Sequence, residues 1–210
     1  RGKHIIISSI EHASVHNQAQ RLEEEGFQVS YLPVDKNGFV NLDKLGELIR
    51  KDTILVSIMH VNNEIGTIQD LKAIGNLIKE KNSNTIFHAD AVASFGKLPM
   101  KISEWKADLV SVSGHKIHAP KGVGALYIRD GLKLRSLVDG GSQEFGMRAG
   151  TENSIGIVGF GEACKIINED GLEMGLEHTK KLYNYLKERV LSEIKDSCIN
   201  GTELLDNETY

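Results

Sequence analysis

The run Ser113-Gly114-His115-Lys116 brings a hydroxyl, an imidazole and an amine to one tight turn. The stretch Asp108-Leu109-Val110-Ser111-Val112 ahead of it reads as a buried strand, and Gly122 and Gly124 behind it allow the bend into a second apolar strand over 125–128. A lysine at the end of a hydrophobic strand is expected to be desolvated, which disfavours the ammonium and leaves a nucleophilic amine suited to Schiff-base chemistry. Other positions can serve such an amine. Asp90 can hold a proton on an aromatic nitrogen, so that a ring accepts electrons from a carbanion. His12 can stack on a flat ring and shuttle protons near neutral pH. Asn63 can donate to a phenolate-like oxygen, and Ser113 with His115 can bind a phosphate alongside local backbone amides. Taken singly, each has a plainer reading: a surface lysine in a glycine-rich turn, a capping aspartate, a loop histidine, a turn asparagine ahead of Gly66. His12 and His16 at i, i+4 spacing and the close pair His115 and His118 raise the question of a metal. No cysteine or carboxylate stands at ligand spacing beside them, so no metal site is expected.

The elements that must position these residues alternate. Strands are expected over residues 4–9, 28–32, 53–59, 85–88 and 109–112, with helices over 13–25, 42–50 and 71–81 between them. Gly26 closes the first helix and Asn41 caps the second. Strands separated by helices imply βαβ units and a mainly parallel sheet covered on both faces, an α/β fold. Such sheets bind ligands at the carboxyl ends of their strands, and Glu11-His12, residues 60–64, Asp90 and residues 113–116 all fall just past those ends. Beyond Thr151 the pattern is helical, over 155–168 and 172–194. Ser197-Cys198-Ile199-Asn200-Gly201 then looks like the first strand of another domain. Residues 1–170 are expected to form one large domain, incomplete at its N-terminus, and 171–210 a connecting helix and the start of a truncated smaller domain.

Composition sets wider bounds. With 210 residues, 40% hydrophobic content and a formal net charge of −4, the chain can build one sizeable core. Mild acidity without a basic block offers no electrostatic case for nucleic acid or an anionic membrane. No apolar run approaches the roughly 18 residues that a membrane span needs. Cys164 and Cys198 lie far apart without metal-ligand spacing, so no disulfide framework is expected and a cytoplasmic location is. The chain begins at Arg1 and opens directly into a strand pattern, which points to a piece of a longer protein.

Together these segments resemble the cysteine desulfurases, pyridoxal 5'-phosphate enzymes of fold type I in the class V aminotransferase group. The resemblance is carried by Glu11-His12, Met59-His60-Val61-Asn62-Asn63-Glu64-Ile65-Gly66-Thr67, His88-Ala89-Asp90-Ala91, Gly96-Lys97-Leu98-Pro99, Ser113-Gly114-His115-Lys116 and Gly146-Met147-Arg148-Ala149-Gly150-Thr151-Glu152-Asn153. They occur in the family's order at nearly its spacing, from about residue 3 to the end. The resemblance implies the large, pyridoxal-phosphate-binding domain of that fold, truncated. Lys116 would carry the cofactor as a Schiff base, Asp90 would pair with the pyridine nitrogen, and His12 would lie over the ring. Asn63 would sit near the ring hydroxyl and the substrate carboxylate, while Ser113 and His115 would hold the phosphate. Thr151 would reach across a homodimer interface to the phosphate of the other subunit. The implied reaction removes sulfur from L-cysteine, leaving alanine and an enzyme persulfide for a sulfur-acceptor protein.

The chain also departs from the family pattern. Ala93 stands where the family usually has a glutamine that donates to the ring hydroxyl. Ser142 and Phe145 stand where glycine and arginine are typical. The family's first phosphate loop would precede Arg1, and its sulfur-attacking cysteine and carboxylate-binding arginine would follow Tyr210. Neither Cys164 nor Cys198 aligns with that nucleophile. A selenocysteine lyase, a class V aminotransferase and a non-catalytic scaffold of the same fold are the competing readings. Intact Lys116, Asp90, His12 and Asn63 argue against the scaffold.

Overall fold

The computed structural model describes residues 2–201. Six strands form one sheet in the order β2-β1-β3-β4-β5-β6: β1 (His4–Ser8), β2 (Gln28–Leu32), β3 (Thr53–Met59), β4 (Ile86–Asp90), β5 (Leu109–Ser113) and β6 (Gly124–Ile128). The first five pair in parallel, and β6 returns antiparallel along the edge of β5. Helices α1 (Ala13–Glu24), α2 (Leu42–Leu48), α3 (Leu71–Lys81) and α4 (Ile102–Trp105) supply the crossovers. The longer α5 (Ser154–Asp170) and α6 (Leu172–Glu193) follow the sheet in sequence.

Burial on both faces explains the continuous apolar runs. All five residues of β1 are buried, and its side chains alternate between two cores. Ile6 joins Val56, Ile58, Phe87 and Val110 beneath Leu45 of α2, Ile74 and Ile78 of α3 and Trp105 of α4. Ile5 and Ile7 face the other way, against Ala19, Val15 and Leu22 of α1. Polar rungs cross the same strands. His4 bonds Thr53 at 2.8 Å and Ser30 at 2.9 Å, and His88 bonds Ser57 and Ser111, each at 2.8 Å.

The chain leaves β1 through α1 toward β2, then crosses back over β1 to reach β3 and continues outward to β4. The loops after β1 and β3 therefore diverge, and a crevice opens between their ends, the usual ligand position in open α/β sheets. Beyond β5 the chain makes a 3-10 turn, Gly114–Ile117, before β6. Gly122 takes a positive φ of 80° in the bend, and a Cβ on Gly124 would lie 2.7 Å from the Val112 carbonyl oxygen, so both glycines are sterically required.

Most expected elements are present, with instructive shifts. Asn41 caps α2 by accepting the Lys44 N–H at 2.9 Å. The strand expected over 85–88 is instead Ile86–Asp90, because Ala89 and Asp90 still find ladder partners in Ile58, Met59, Val110 and Ser111. Asp90 is thus the last residue of a strand and not the first of a loop. Residues 197–200, where a strand is expected, are irregular and have no ladder partner among the described residues. Residues 202–210, where that segment would continue, lie outside the described residues.

Candidate active site

A cleft of about 290 Å³ lies at the carboxyl ends of the central strands, lined by His12, Ser14, Met59, Asn63, Asp90, Val92, Ala93, Ser113, His115 and Lys116. Six of the seven residues singled out from the sequence meet there, from four separate segments of the chain. Thr151, the seventh, is exposed and does not line the cleft.

Each side chain is held by its local structure. His12 is the N-cap of α1: its Nδ1 accepts the Ser14 backbone N–H at 3.1 Å and lies 2.8 Å from Ser14 Oγ. An Nδ1 lone pair used in this way leaves the proton of the neutral ring on Nε2. Asp90 is buried at 7% exposure, and its Oδ1 accepts the Val92 N–H at 2.9 Å. Among the described residues Oδ2 takes no hydrogen bond. Ser113 Oγ and His115 Nδ1 lie 2.7 Å apart, pairing a hydroxyl and an imidazole on one wall. Asn63 is exposed on a turn shaped by Asn62, whose Oδ1 accepts the N–H groups of Glu64 and Ile65.

Lys116 corrects one expectation. The 3-10 turn carries it past the end of β5 to the rim, where it is exposed and not desolvated by the strand. A strand buries what lies within its ladder; the turn that follows releases its side chains to solvent. Ala93, the departure in donor chemistry, does line the cleft. Phe145 is 96% exposed at a positive φ of 56°.

Two residues without a role in the sequence reading brace the site. Asn62 Nδ2 donates to the Ile10 carbonyl at 3.0 Å, and buried Glu11 accepts the Met59 N–H at 2.7 Å. Both fasten the turn after β1 to the end of β3, across about fifty residues of sequence. The available signal was a carboxyl group between a strand with an apolar centre and a helix cap.

A larger cleft, about 440 Å³ between α3, α4 and α6, is lined by none of the seven candidate site residues. Its histidine, His60, bonds Ser94 at 2.9 Å and packs on Trp105, and burial pushes it down to about 4, so it is a neutral structural group. Cys164 is half-buried in α5, and burial pushes its thiol up, away from the reactive thiolate. Cys198 is exposed, and neither cysteine lines the central cleft. Among the described residues no group of three or more His, Cys, Asp or Glu side chains is placed to hold a metal ion. No helix among them is long and apolar enough to cross a membrane.

Comparison with known proteins places this arrangement. The chain is 46% identical over 201 residues to the cysteine desulfurase IscS of Dictyoglomus turgidum, covering 96% of this chain and 50% of that protein. A solved NifS-like protein superposes with a TM-score of 0.88 at 43% identity, over 91% of this chain and 52% of its own. A structure described as SspA in complex with cysteine gives 0.75 at 44% identity, over 78% of this chain and 47% of that one. The chain thus spans about half the length of the curated relatives it matches. The sequence model of the class-V aminotransferases matches residues 1–208, and the chain belongs to that family.

Proposed function

We propose that the protein is a pyridoxal-phosphate-dependent cysteine desulfurase, of which this chain supplies most of the cofactor cleft. The observation that carries the reading is the convergence of His12, Asn63, Asp90, Ser113, His115 and Lys116 on one cleft at the strand ends. The likeness to relatives named cysteine desulfurase, and to a structure holding cysteine, supports the same activity and substrate.

The residues fit the cofactor. The cleft is at the low end of the roughly 300–1,000 Å³ usual for ligand sites. Asp90 offers a buried carboxylate with one oxygen to spare, Lys116 an accessible amine for an aldehyde, and Ser113 with His115 two donors for a phosphate. Bound pyridoxal phosphate supplies an electron sink for a carbanion beside the substrate's amino group. Asp90 would keep the proton on the ring nitrogen. Lys116 Nζ would hold the aldehyde and, once displaced from it by the substrate's amino group, would move a proton at the substrate Cα. His12, fixed by Ser14 with its proton on Nε2, would lie over the ring and exchange a proton with the substrate. Asn63 would orient the ring hydroxyl and the substrate carboxylate.

Sulfur leaves L-cysteine for an acceptor cysteine of the enzyme, so that the thiol becomes a persulfide and the substrate becomes alanine. Cys164 and Cys198 lie off the cleft, and the acceptor is a different cysteine. Thr151 serves the phosphate bound by a second subunit in a homodimer, and a sulfur-acceptor protein collects the persulfide. A cytoplasmic location accords with the two free thiols. Borohydride reduction of the pyridoxal-phosphate-loaded protein, followed by peptide mapping, should place the label on the peptide containing Lys116. The unreduced, pyridoxal-phosphate-loaded protein should convert L-cysteine into equal amounts of alanine and transferred sulfur. A protein that takes up no pyridoxal phosphate, or labels elsewhere, would overturn the proposal.

A further inference from the structure

Glu11 Oε2 is the one side-chain polar atom among the described residues that is sealed from solvent without a hydrogen-bond partner. Glu11 follows the fully buried β1 and precedes the cap of α1, and it is itself 8% exposed. Its Oε1 accepts the Ser8 hydroxyl at 2.5 Å and the Met59 N–H at 2.7 Å. Its Oε2 is sealed from solvent without a partner. An ionised oxygen in that position would lose water and gain nothing in return, whereas a carboxylic acid loses far less. Burial, opposed by the Ser8 and Met59 bonds and reinforced by the charge of Asp90, pushes the group up to about 7.

The location gives this chemistry a use. Met59 lines the cleft and is the register partner of Asp90, while His12 is the next residue in the chain. Glu11 therefore bridges the ends of β1 and β3 where their following loops diverge, with one site residue on either side. Titratable groups on the surrounding elements are His12 and His16 by α1, Tyr31 on β2, His60 and Glu64 after β3, and His88 and Asp90 on β4. Of these, Asp90 is the one whose charge bears on Glu11.

We propose that Glu11 is a positioning residue for the reaction site: as a carboxylic acid it clamps the two strand ends together and leaves Asp90 as the single negative charge beneath the cleft. This role rests on the functional reading above. Loss of the proton puts a second charge beside Asp90 and loosens the match between strand ends and cleft.

Glutamate labelled with carbon-13 at the carboxyl group, in the full protein without cofactor, should show one carboxyl titrating near pH 7. Glu11→Gln should remove that signal alone. Gln retains the accepting oxygen, so its affinity for pyridoxal phosphate should stay within about twofold of wild type at pH 6. It should also lack the change in affinity that wild type shows on passing pH 7. Glu11→Ala, which deletes the clamp, should weaken binding at least tenfold at every pH. A Glu11 carboxyl titrating between 4 and 5, or a Gln variant as impaired as the Ala variant, would overturn the proposal. If Glu11→Gln does not fold, the wild-type carboxyl titration together with the Ala variant's affinity still decides. A wild-type protein that binds no pyridoxal phosphate would overturn the role through the functional reading, while the titration would separately report the state of Glu11.

Discussion

Two buried carboxylates sit at opposite ends of the same sheet and are treated in opposite ways. Asp108, 1% exposed, stands at the amino end of β5. Its Oδ2 accepts Lys79 Nζ at 2.5 Å and the Phe87 N–H at 2.8 Å, and its Oδ1 accepts Arg129 Nε at 2.6 Å. Burial alone would push this group up, but the bonds from Lys79, Phe87 and Arg129 outweigh it and hold the carboxyl below its ordinary value. Glu11, at the carboxyl end of β1, has one oxygen bonded twice and the other not at all. The amino ends of the strands are closed by the protein's own cations, which join α3, β4 and the end of β6. The carboxyl ends keep unspent bonding capacity in Glu11 and Asp90. In a parallel sheet this asymmetry separates the end that holds the fold from the end that receives a ligand.

Variants at the two ends should therefore fail differently. The largest effect is expected from Asp90→Asn, which keeps the shape but cannot hold a proton on the ring nitrogen. Turnover should fall roughly 10²–10³-fold, the cost of removing one preorganised charge-stabilising partner. Cofactor retention should change much less, and near-normal turnover would erase the contrast between the two ends.

The stability of the two carboxylates should also depend on pH with opposite sign. The folded state raises Glu11 from 4.5 to about 7, so its stabilisation is complete below about pH 4.5 and is lost as pH rises toward 7. At about 1.4 kcal/mol per pH unit the loss is about 3 kcal/mol, and Glu11→Gln should flatten that slope. Asp108 is depressed, so its contribution is full above its ordinary 3.8 and is lost as pH falls below that value. Asp108→Asn should cost about 2–3 kcal/mol at pH 7, at or below the usual loss on breaking a buried pair because Arg129 is half-exposed. Urea midpoints at several pH values measure both, and slopes of the same sign would contradict the comparison. The smallest effect belongs to a residue at neither end. Thr151→Ala should weaken cofactor retention by about 1–2 kcal/mol, the worth of a hydrogen bond to a charged group, without moving the urea midpoint.

The site was legible wherever its signal is local. β3, α3 and β2 have the bounds that periodicity predicts, since β-branched runs and an amphipathic stripe need only neighbouring residues. The polar residues beyond those runs likewise marked the cleft. What depends on distant partners was not legible. β4 reaches Asp90 because of strands on both sides, and Glu11 matters through a bond to Met59, 48 positions away. The desolvated lysine failed for a related reason: a 3-10 turn of four residues, unmarked by composition, takes Lys116 to the rim. Residues 197–200 have a strand's composition without a strand's partner among the described residues.

The histidine rung on β4 has a kinetic consequence for the carboxylate it precedes. His88 ties β4 to both its neighbours, two residues before Asp90, in the middle of a six-stranded sheet. Releasing that strand to solvent breaks two backbone ladders and two imidazole bonds together, so opening β4 approaches the work of unfolding the whole sheet. Amide protons of β4 should be among the last to exchange with deuterium, and those near the 3-10 turn of Lys116 among the first. On the proposed function, the group that must hold still is thus mounted on a strand tied on both sides, and Lys116 lies on an exposed position of a turn outside the ladder.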